Sequence, residues 1–242
     1  MTADLLGTVV LLIYYILIVT FLPVGLKRWL KIPSEYIRKT HHILYSLSIF
    51  IVVGLFSTWY IAVGATLLLA ILGYPALLII ENMSFYKKLF PDRAKGGELR
   101  KQLVYVQISF AILLIVFWGL LGPGWKYVAV CAVMAWGFGD AAAALVGKRL
   151  GRKRKKPRFI EGAKTYEGTA AMIVTAGLAV FLTLLFYAGL PWPQSILISI
   201  IVAPFCGIVE LLSRGGSDTI TVPLATSALI SPLIYLIMFL GF

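Results

Sequence analysis

Long apolar stretches alternate with short polar connections along almost the whole chain. A helix rises 1.5 Å per residue, so about 20 apolar residues cross the ~30 Å hydrocarbon core of a bilayer. By this measure the sequence predicts spans over Leu5–Leu22, Ile43–Ser57, Trp59–Ile80, Leu103–Leu121, Trp125–Val146, Thr169–Tyr187, Ser195–Leu212 and Leu224–Leu240. The predicted fold is therefore an all-α, polytopic transmembrane helical bundle with about eight spans.

The second predicted span is the weakest, because it is short and only Ser57 and Thr58 separate it from the third. The distribution of charge supports the separation. With eight spans, all of the 22 Lys and Arg residues except Lys126 fall in loops on one side. Cytoplasmic loops of membrane proteins carry an excess of Lys and Arg. We therefore expect a multi-pass protein of the cell (inner) membrane, with these loops in the cytoplasm and both termini outside.

The composition supports the same interpretation. Apolar residues make up 60% of the chain, against roughly 45–50% in soluble domains. The net charge of +12 would suggest nucleic acid in a soluble protein, but here it indicates the positive-inside rule and attraction to anionic lipids or phosphate groups. We expect a single integral membrane domain over residues 1–242, with membrane lipids and no nucleic acid as partners. A homo-oligomer stays open.

Four charged stretches at predicted cytoplasmic span ends are candidates for chemistry. The first is Arg38–His42, immediately before the second span. Its residues are typical of an ordinary basic segment that flanks a membrane span at the membrane–water interface. Alternatively, Arg38 and Lys39 form a cationic pair that holds phosphate oxygens, with the imidazole of His42 nearby.

The second stretch runs over Gly137–Gly151. Small residues recur in it at every fourth position: Gly139, Ala143, Gly147 and Gly151. This spacing is typical of close helix packing in membranes. Asp140 does not fit that interpretation, because a carboxylate near the end of an apolar span is costly and is commonly functional. Its oxygens suit Mg²⁺, so we favour a functional role for Asp140.

The third stretch is Lys164–Gly168, which leads into the sixth span. Lys164 and Gly168 lie one helical turn apart, so backbone can approach a bound group beside an ammonium, and free N–H groups at a helix start favour anions. This signal is weak by itself. The preceding basic run, Arg152–Arg158, is interpreted as a solvated tether that faces lipid headgroups rather than as a site.

The fourth stretch runs from Glu210 to Pro223. Glu210 and Arg214 have the i, i+4 spacing of a simple helix ion pair. That pairing does not account for Asp218, which follows a Gly-Gly turn directly before the last span. Asp218 is predicted at the same membrane depth as Asp140, so the two carboxylates together suit a metal–nucleotide complex.

Motifs of several other enzyme classes are absent from the sequence. It contains no GxxxxGK[ST] loop, no protein-kinase signature set, no HExxH and no serine nucleophile elbow. No charged residue lies in the middle of a predicted span, where ion or proton paths usually carry one. Serine-hydrolase, zinc-protease and P-loop chemistry are therefore disfavoured.

Taken in order, the four stretches resemble the polyprenol kinase family, which includes phytol kinases, dolichol kinases and CTP-dependent diacylglycerol kinases. The matching pieces are Arg38-Lys39-x-x-His42, Gly139-Asp140 followed by Ala143, Gly147 and Gly151, then Lys164-Thr165-x-x-Gly168, and Glu210-x-x-Ser213 with Asp218 and Val222-Pro223. Each piece is a weak motif, but four in this order between Arg38 and Pro223 form a fairly specific signal. The resemblance implies phosphoryl transfer from CTP or another nucleoside triphosphate to the hydroxyl of an isoprenoid or lipid alcohol.

The resemblance also implies residue roles. Catalytic roles fall to Asp140, Asp218 and Lys164. The implied Mg²⁺ ligands are Asp140, Asp218 and Glu210. The implied nucleotide- and phosphate-binding residues are Arg38, Lys39, His42, Gly139, Gly147, Lys148, Thr165, Gly168 and Ser213. The sequence departs from the family pattern at Thr219, where Asn is common, and in lacking glycines after His42. These departures affect the expected choice of nucleotide and of alcohol more than the expected class of reaction.

Two alternatives stay open from the sequence. One is a cytidylyltransferase that makes a CDP-activated lipid, although the acidic, glycine-rich signature near the C-terminus of phosphatidate cytidylyltransferases is absent. The other is a small lipid transporter without catalysis, which predicts polar residues across a span interior. The few polar groups in the middle of the predicted spans are isolated serines, threonines and glycines.

Overall fold

The computed structural model describes residues 2–90, 97–151 and 164–240. Within these ranges the chain forms helices and no strand, so the predicted all-α class is confirmed. The basic run Arg152–Arg158 and two of the predicted loop cations, Arg93 and Lys95, lie outside the described residues.

The helices are numbered in chain order. They are α1 (Thr2–Ile16, continued by a π-helical turn over Leu17–Phe21 and by Leu22–Arg28), α2 (Ser34–Leu55), α3 (Trp59–Asn82), α4 (Ser84–Leu89), α5 (Glu98–Leu113, continued by π-helix over Leu114–Leu120), α6 (Lys126–Leu150), α7 (Tyr166–Leu182, continued by π-helix over Thr183–Tyr187), α8 (Trp192–Leu212) and α9 (Asp218–Phe239). A 3-10 turn, Pro123–Trp125, precedes α6.

Seven of the described helices are long and apolar enough to cross a membrane, namely all except α2 and the short α4. Helix α2 has the length of a span, with 22 residues, but its first two turns carry Glu35, Arg38 and Lys39. The predicted count of about eight is therefore close. The predicted second span, Ile43–Ser57, corresponds to the apolar part of α2, which makes this helix the borderline case in the structure as well as in the sequence.

The break between α2 and α3 is held by a side chain from α1. Phe56 adopts an extended backbone conformation that ends α2. Ser57 then donates from its backbone N–H and from its hydroxyl to the carboxylate of Asp4, each over 2.8 Å. Because the connection is fixed in this way, α2 and α3 are separate helices, as the charge distribution predicted.

Helix α6 lies at the centre of the bundle. It packs most extensively against α7, and then against α2 and α9. In the most apolar 18-residue stretch of this span, 72% is buried inside the protein, the largest share among the described spans. Glycines allow this packing: a side chain at Gly137 would run into Ser46 of α2, and one at Gly139 would meet Ala176 of α7 at 3.2 Å. Two helices are thereby held against opposite sides of α6 near Asp140.

Six helix ends meet at one end of this bundle. They are the starts of α2, α5, α7 and α9 and the ends of α6 and α8. Contacts across them join Lys39 to Asp140, and Lys164 to Glu210. The four predicted motifs, far apart in sequence, therefore come together in space.

Candidate active site

A cavity of about 650 Å³ lies where these helix ends meet. All of the predicted site residues except one line it: Arg38, Lys39, His42, Asp140, Gly147, Lys148, Lys164, Thr165, Gly168, Glu210, Ser213 and Asp218. The exception is Gly139, which packs against α7 instead. At Gly139 the contacts correspond to the helix-packing interpretation of the small-residue ridge rather than to ligand binding.

Asp140 is buried and paired with a lysine. Lys39 donates from Nζ to both carboxylate oxygens of Asp140, over 2.9 Å to Oδ1 and 2.7 Å to Oδ2. Only 3% of Lys39 and 6% of Asp140 is exposed. His42 also contacts Oδ2 of Asp140 through Nδ1. These contacts join α2 to α6. Removing either partner of the buried ion pair would leave an uncompensated charge.

A stacked pair of rings connects this cluster to Asp218. The ring of His42 lies 5.3 Å from that of Trp136, with 29° between their planes. The indole Nε1 of Trp136 donates to Oδ2 of Asp218 over a long 3.4 Å. Trp136 was not among the predicted site residues, because an aromatic residue within an apolar span is ordinarily part of the core.

Lys164 is held by the end of α8. Its ammonium donates to the backbone carbonyl of Glu210 and, over 2.7 Å, to that of Ser213. It also lies 3.1 Å from Oε1 of Glu210. The ammonium thus makes two hydrogen bonds to carbonyl groups, and the carboxylate of Glu210 balances its charge. Lys164 therefore fastens the start of α7 to the end of α8, which is the geometry of a positioning residue.

The start of α7 explains the pattern Lys-Thr-x-x-Gly. Thr165 is the N-cap of the helix, and its hydroxyl accepts a hydrogen bond from the backbone N–H of Gly168 over 3.0 Å. A side chain at Gly168 would meet the backbone carbonyl of Ala143 at 2.7 Å, and one at Gly147 would meet Oγ1 of Thr165 at 2.7 Å. Both glycines line the cavity, and both are needed for α6 and α7 to approach this closely.

A tight turn presents Asp218 to the cavity. Gly215 and Gly216 have φ values of +59° and +83°, a left-handed conformation that residues with side chains rarely adopt. The turn is closed by a 3.0 Å hydrogen bond from the backbone N–H of Ser217 to the carbonyl of Arg214. Asp218 follows as the first residue of α9.

Arg38 lies between two carboxylates at the cavity. Its guanidinium donates to Glu35 through Nη2 over 2.5 Å and through Nε over 3.1 Å, and Nε lies 3.6 Å from Oε1 of Glu98. Burial raises the pKa of Glu35, but the hydrogen bonds and charge of Arg38 outweigh that effect, so this pKa is lower than its ordinary value. Arg38 is thus held in place by anionic partners before any ligand is present.

Sequence reasoning missed one wall of the cavity altogether. Helix α5 contributes four polar residues with the i, i+3, i+4, i+7 spacing of a single helix face: Glu98, Lys101, Gln102 and Tyr105. Gln102 is only 7% exposed, and neither atom of its amide has a hydrogen-bond partner among the described residues. A buried unpaired polar atom costs about 1–3 kcal/mol. The polar face at the start of an otherwise apolar span was the signal that could have identified this wall.

The resemblance implies a magnesium ion, and the side chains fit one binding mode for it. Within residues 2–90, 97–151 and 164–240, no three His, Cys, Asp or Glu side chains converge as a metal cage. Asp140 and Glu210 are paired with lysines, whereas Asp218 has the single long hydrogen bond from Trp136. Mg²⁺ is usually bound through one or two carboxylates, water and substrate phosphates. The cavity suits that mode, with Asp218 as the most available carboxylate.

Comparison with known proteins agrees with the motifs. No family model and no solved structure matches the chain. A phytol kinase from Synechocystis sp. is 30% identical over 152 residues, which is 63% of this chain and 62% of the relative. The chain thus matches somewhat less than two thirds of the length of that relative. Together with the apolar helices, the match describes an integral membrane protein, and it confirms the resemblance to the polyprenol kinase family that the four motifs indicated.

Proposed function

We propose that this protein is a kinase that transfers the γ-phosphoryl group of a nucleoside triphosphate, CTP in the first place, to the hydroxyl of a membrane-embedded isoprenoid or lipid alcohol. The observation that carries the proposal is the convergence of the four motifs on one cavity at one end of the bundle. The similarity to a phytol kinase supports it and makes phytol the first alcohol to test.

The residues of the cavity suit phosphoryl transfer. In this reaction the alcohol oxygen bonds to the γ-phosphorus as the bond to the β–γ bridging oxygen breaks, a nucleoside diphosphate leaves, and the hydroxyl proton passes to water or to a basic oxygen. The protein mainly supplies positioning and charge neutralisation. Arg38, Lys39 and Lys148 provide cationic groups for the phosphates. Mg²⁺, when bound, neutralises further phosphate charge, and Asp218 with Asp140 would hold it.

The location of the cavity suits two substrates of opposite solubility. It lies at the end of the apolar bundle, so a lipid alcohol can keep its chain in the bilayer and bring only its hydroxyl to the charged helix ends. We place this end in the cytoplasm and both termini outside, because the charge distribution favours that orientation. The nucleotide then arrives from the aqueous side.

Labelled nucleotide tests the proposal directly. Purified protein in detergent is incubated with Mg²⁺, phytol and CTP labelled at either the α- or the γ-phosphate, and the lipid is then extracted. We expect only the γ label to enter the lipid. Entry of the α label alone, with a lipid phosphate as acceptor, would show a cytidylyltransferase instead. A screen of longer isoprenoid alcohols and diacylglycerol against CTP, UTP, ATP and GTP extends the test, and no transfer in any combination would overturn the proposal.

A further inference from the structure

The wall formed by α5 includes two side chains that differ in chemistry from the rest of the cavity. The predicted motifs surround the cavity with carboxylates, lysines and glycines from α2, α6, α7, α8 and α9. Helix α5 adds a neutral amide, Gln102, and an aromatic ring, Tyr105, which lies less than one turn further along. Glu98 and Lys101 on this wall have the same charged chemistry as the motif walls. Gln102 and Tyr105 are not suited to neutralising phosphate charge, so these two residues require a different explanation.

Gln102 is a polar side chain of the cavity wall whose amide has no hydrogen-bond partner among the described residues. Both its Nε2 and its Oε1 are buried, and neither has a partner among the described residues. Buried polar atoms in native proteins are nearly always satisfied by protein, water or ligand. Because Gln102 lines the cavity, a ligand there can supply the missing donor and acceptor.

We propose that Gln102 binds the base of the nucleotide, with Tyr105 as a surface on which the base stacks. This inference rests on the proposed function, because it identifies the nucleotide-recognition part of the same cavity. A glutamine amide carries a donor and an acceptor side by side and forms bidentate hydrogen bonds with base edges. Its terminal torsion is broad and roughly two-fold, so the amide can present either order of donor and acceptor.

Other occupants of the cavity match the amide less well. A phosphate offers acceptors alone, and cationic side chains already line the motif walls. A lipid alcohol offers one hydroxyl, which cannot satisfy a donor and an acceptor in a bidentate manner. A pyrimidine or adenine edge presents a donor next to an acceptor, and every base has a face that stacks on an aromatic ring. The combination on α5 therefore points to a nucleobase.

The chain offers a matched control for the test. Gln107 lies on the same helix and is also buried, with 1% exposure, but it does not line the cavity. Its Nε2 donates to the hydroxyl of Tyr15 over 2.7 Å, and only its Oε1 has no partner among the described residues. Gln102→Leu and Gln107→Leu therefore make the same chemical change in the same helix. We expect Gln102→Leu to raise KM for the preferred triphosphate about 10-fold or more and to leave kcat within about 3-fold, whereas Gln107→Leu leaves KM unchanged.

Gln102→Glu makes the test specific for base recognition. This variant keeps the shape of the side chain but replaces the donor by a second acceptor. A guanine edge presents two adjacent donors. If the glutamate accepts both, kcat/KM for GTP should rise about 5- to 150-fold relative to kcat/KM for CTP, UTP and ATP. The measurement is phosphorylated lipid formed with each of the four magnesium–nucleotide salts.

Failure of this inference is distinguishable from failure of the proposed function. If the wild-type protein phosphorylates no lipid with any triphosphate, the proposed function is wrong. If the wild type is active and both Gln102 variants fold, as judged by a single gel-filtration peak, yet keep the wild-type order of nucleotide preference, the base-binding role is wrong. Tyr105→Leu provides an independent check, because loss of stacking raises KM for all four nucleotides alike.

Discussion

Asp140 and Asp218 line the same cavity but differ in their surroundings. On the α2–α6 side, Asp140 is 6% exposed, and both of its oxygens accept hydrogen bonds from Lys39. On the α8–α9 side, Asp218 is only half-buried and accepts one long hydrogen bond from Trp136. The resemblance to the polyprenol kinase family implied the same catalytic and metal-binding role for both residues. Asp140 therefore has a structural role as well, because it orients Lys39 and joins α2 to α6, and Asp218 is the more available of the two carboxylates for a metal ion or nucleotide.

The backbone around Asp140 is also more closely packed than the backbone around Asp218. Asp140 lies within the 25-residue helix α6, packed by glycines against α2 and α7. Asp218 opens α9 after two left-handed glycines whose surroundings are empty within 4 Å of an added side chain. The first carboxylate is therefore enclosed by helix packing, whereas the second follows a turn with open space around its glycines.

The largest expected effect is the loss of stability in Asp140→Asn. The change leaves the charge of Lys39 buried and uncompensated, so we expect the free energy of unfolding to fall by about 3–5 kcal/mol. Denaturant unfolding in detergent measures it. The double variant Lys39→Met with Asp140→Leu should recover much of the loss, because neither charge then remains. Wild-type stability in Asp140→Asn would contradict the structural role assigned to the pair.

Asp218→Asn should reduce activity strongly and stability only slightly. We expect kcat/KM for lipid phosphorylation to fall about 10²- to 10³-fold, comparable with removing one electrostatic stabiliser from an active site. Stability should change by less than about 1 kcal/mol, because the carboxylate is half-buried and weakly bonded. A magnesium titration should also show a higher requirement for the metal. Full activity in this variant would remove Asp218 from the proposed mechanism.

Lys164→Met distinguishes positioning from phosphate binding. If Lys164 fastens α7 to α8, the variant loses hydrogen bonds from a charged group, and stability falls by about 1.5–3 kcal/mol. The Asp218 turn is then less well placed, so kcat falls while KM for the nucleotide changes little. A raised KM with unchanged stability would instead favour direct phosphate binding, as the resemblance implied.

The smallest expected effect concerns the α6–α7 contact on the Asp140 side. Gly168→Ala places a methyl group against the carbonyl of Ala143, so we expect a loss of about 1–3 kcal/mol in stability. Gly64→Ala in α3 is the control, because no atom lies within 4 Å of its added carbon, and it should stabilise the helix by about 0.5–1 kcal/mol. Equal responses in the two variants would show that the glycine contact contributes little.

Much of the fold could be predicted from sequence because a bilayer imposes a simple rule on helix length and polarity. The same rule explains the uncertainty at α2, where an apolar half follows a charged half. Candidate site residues could be named because their motifs occur in a recognisable order. Their pairing could not: Lys39 and Asp140 are 101 residues apart in sequence, and only the packing of α2 on α6 brings them together.

Two residues show where motif reasoning stopped. Gly139 belongs to a motif, yet it serves helix packing and does not line the cavity. Gln102 belongs to none of the motifs, yet it lines the cavity with an unpaired amide. Sequence order identifies which segments converge, but which side of a helix faces the cavity depends on helix rotation, which is set by contacts with neighbouring helices.

The ion pair between α2 and α6 has a consequence for biosynthesis. Helix α2 carries Lys39 into the bundle, and its partner Asp140 is synthesised 101 residues later. At about 5–20 residues per second, this interval is roughly 5–20 s. A charged side chain that is buried in the bundle without its partner is costly, so we expect α2 to pack fully only after α6 has left the ribosome. Mass-spectrometric mapping of Lys39 with a water-soluble amine reagent should detect reactive chains that end before α6 and protected chains of full length.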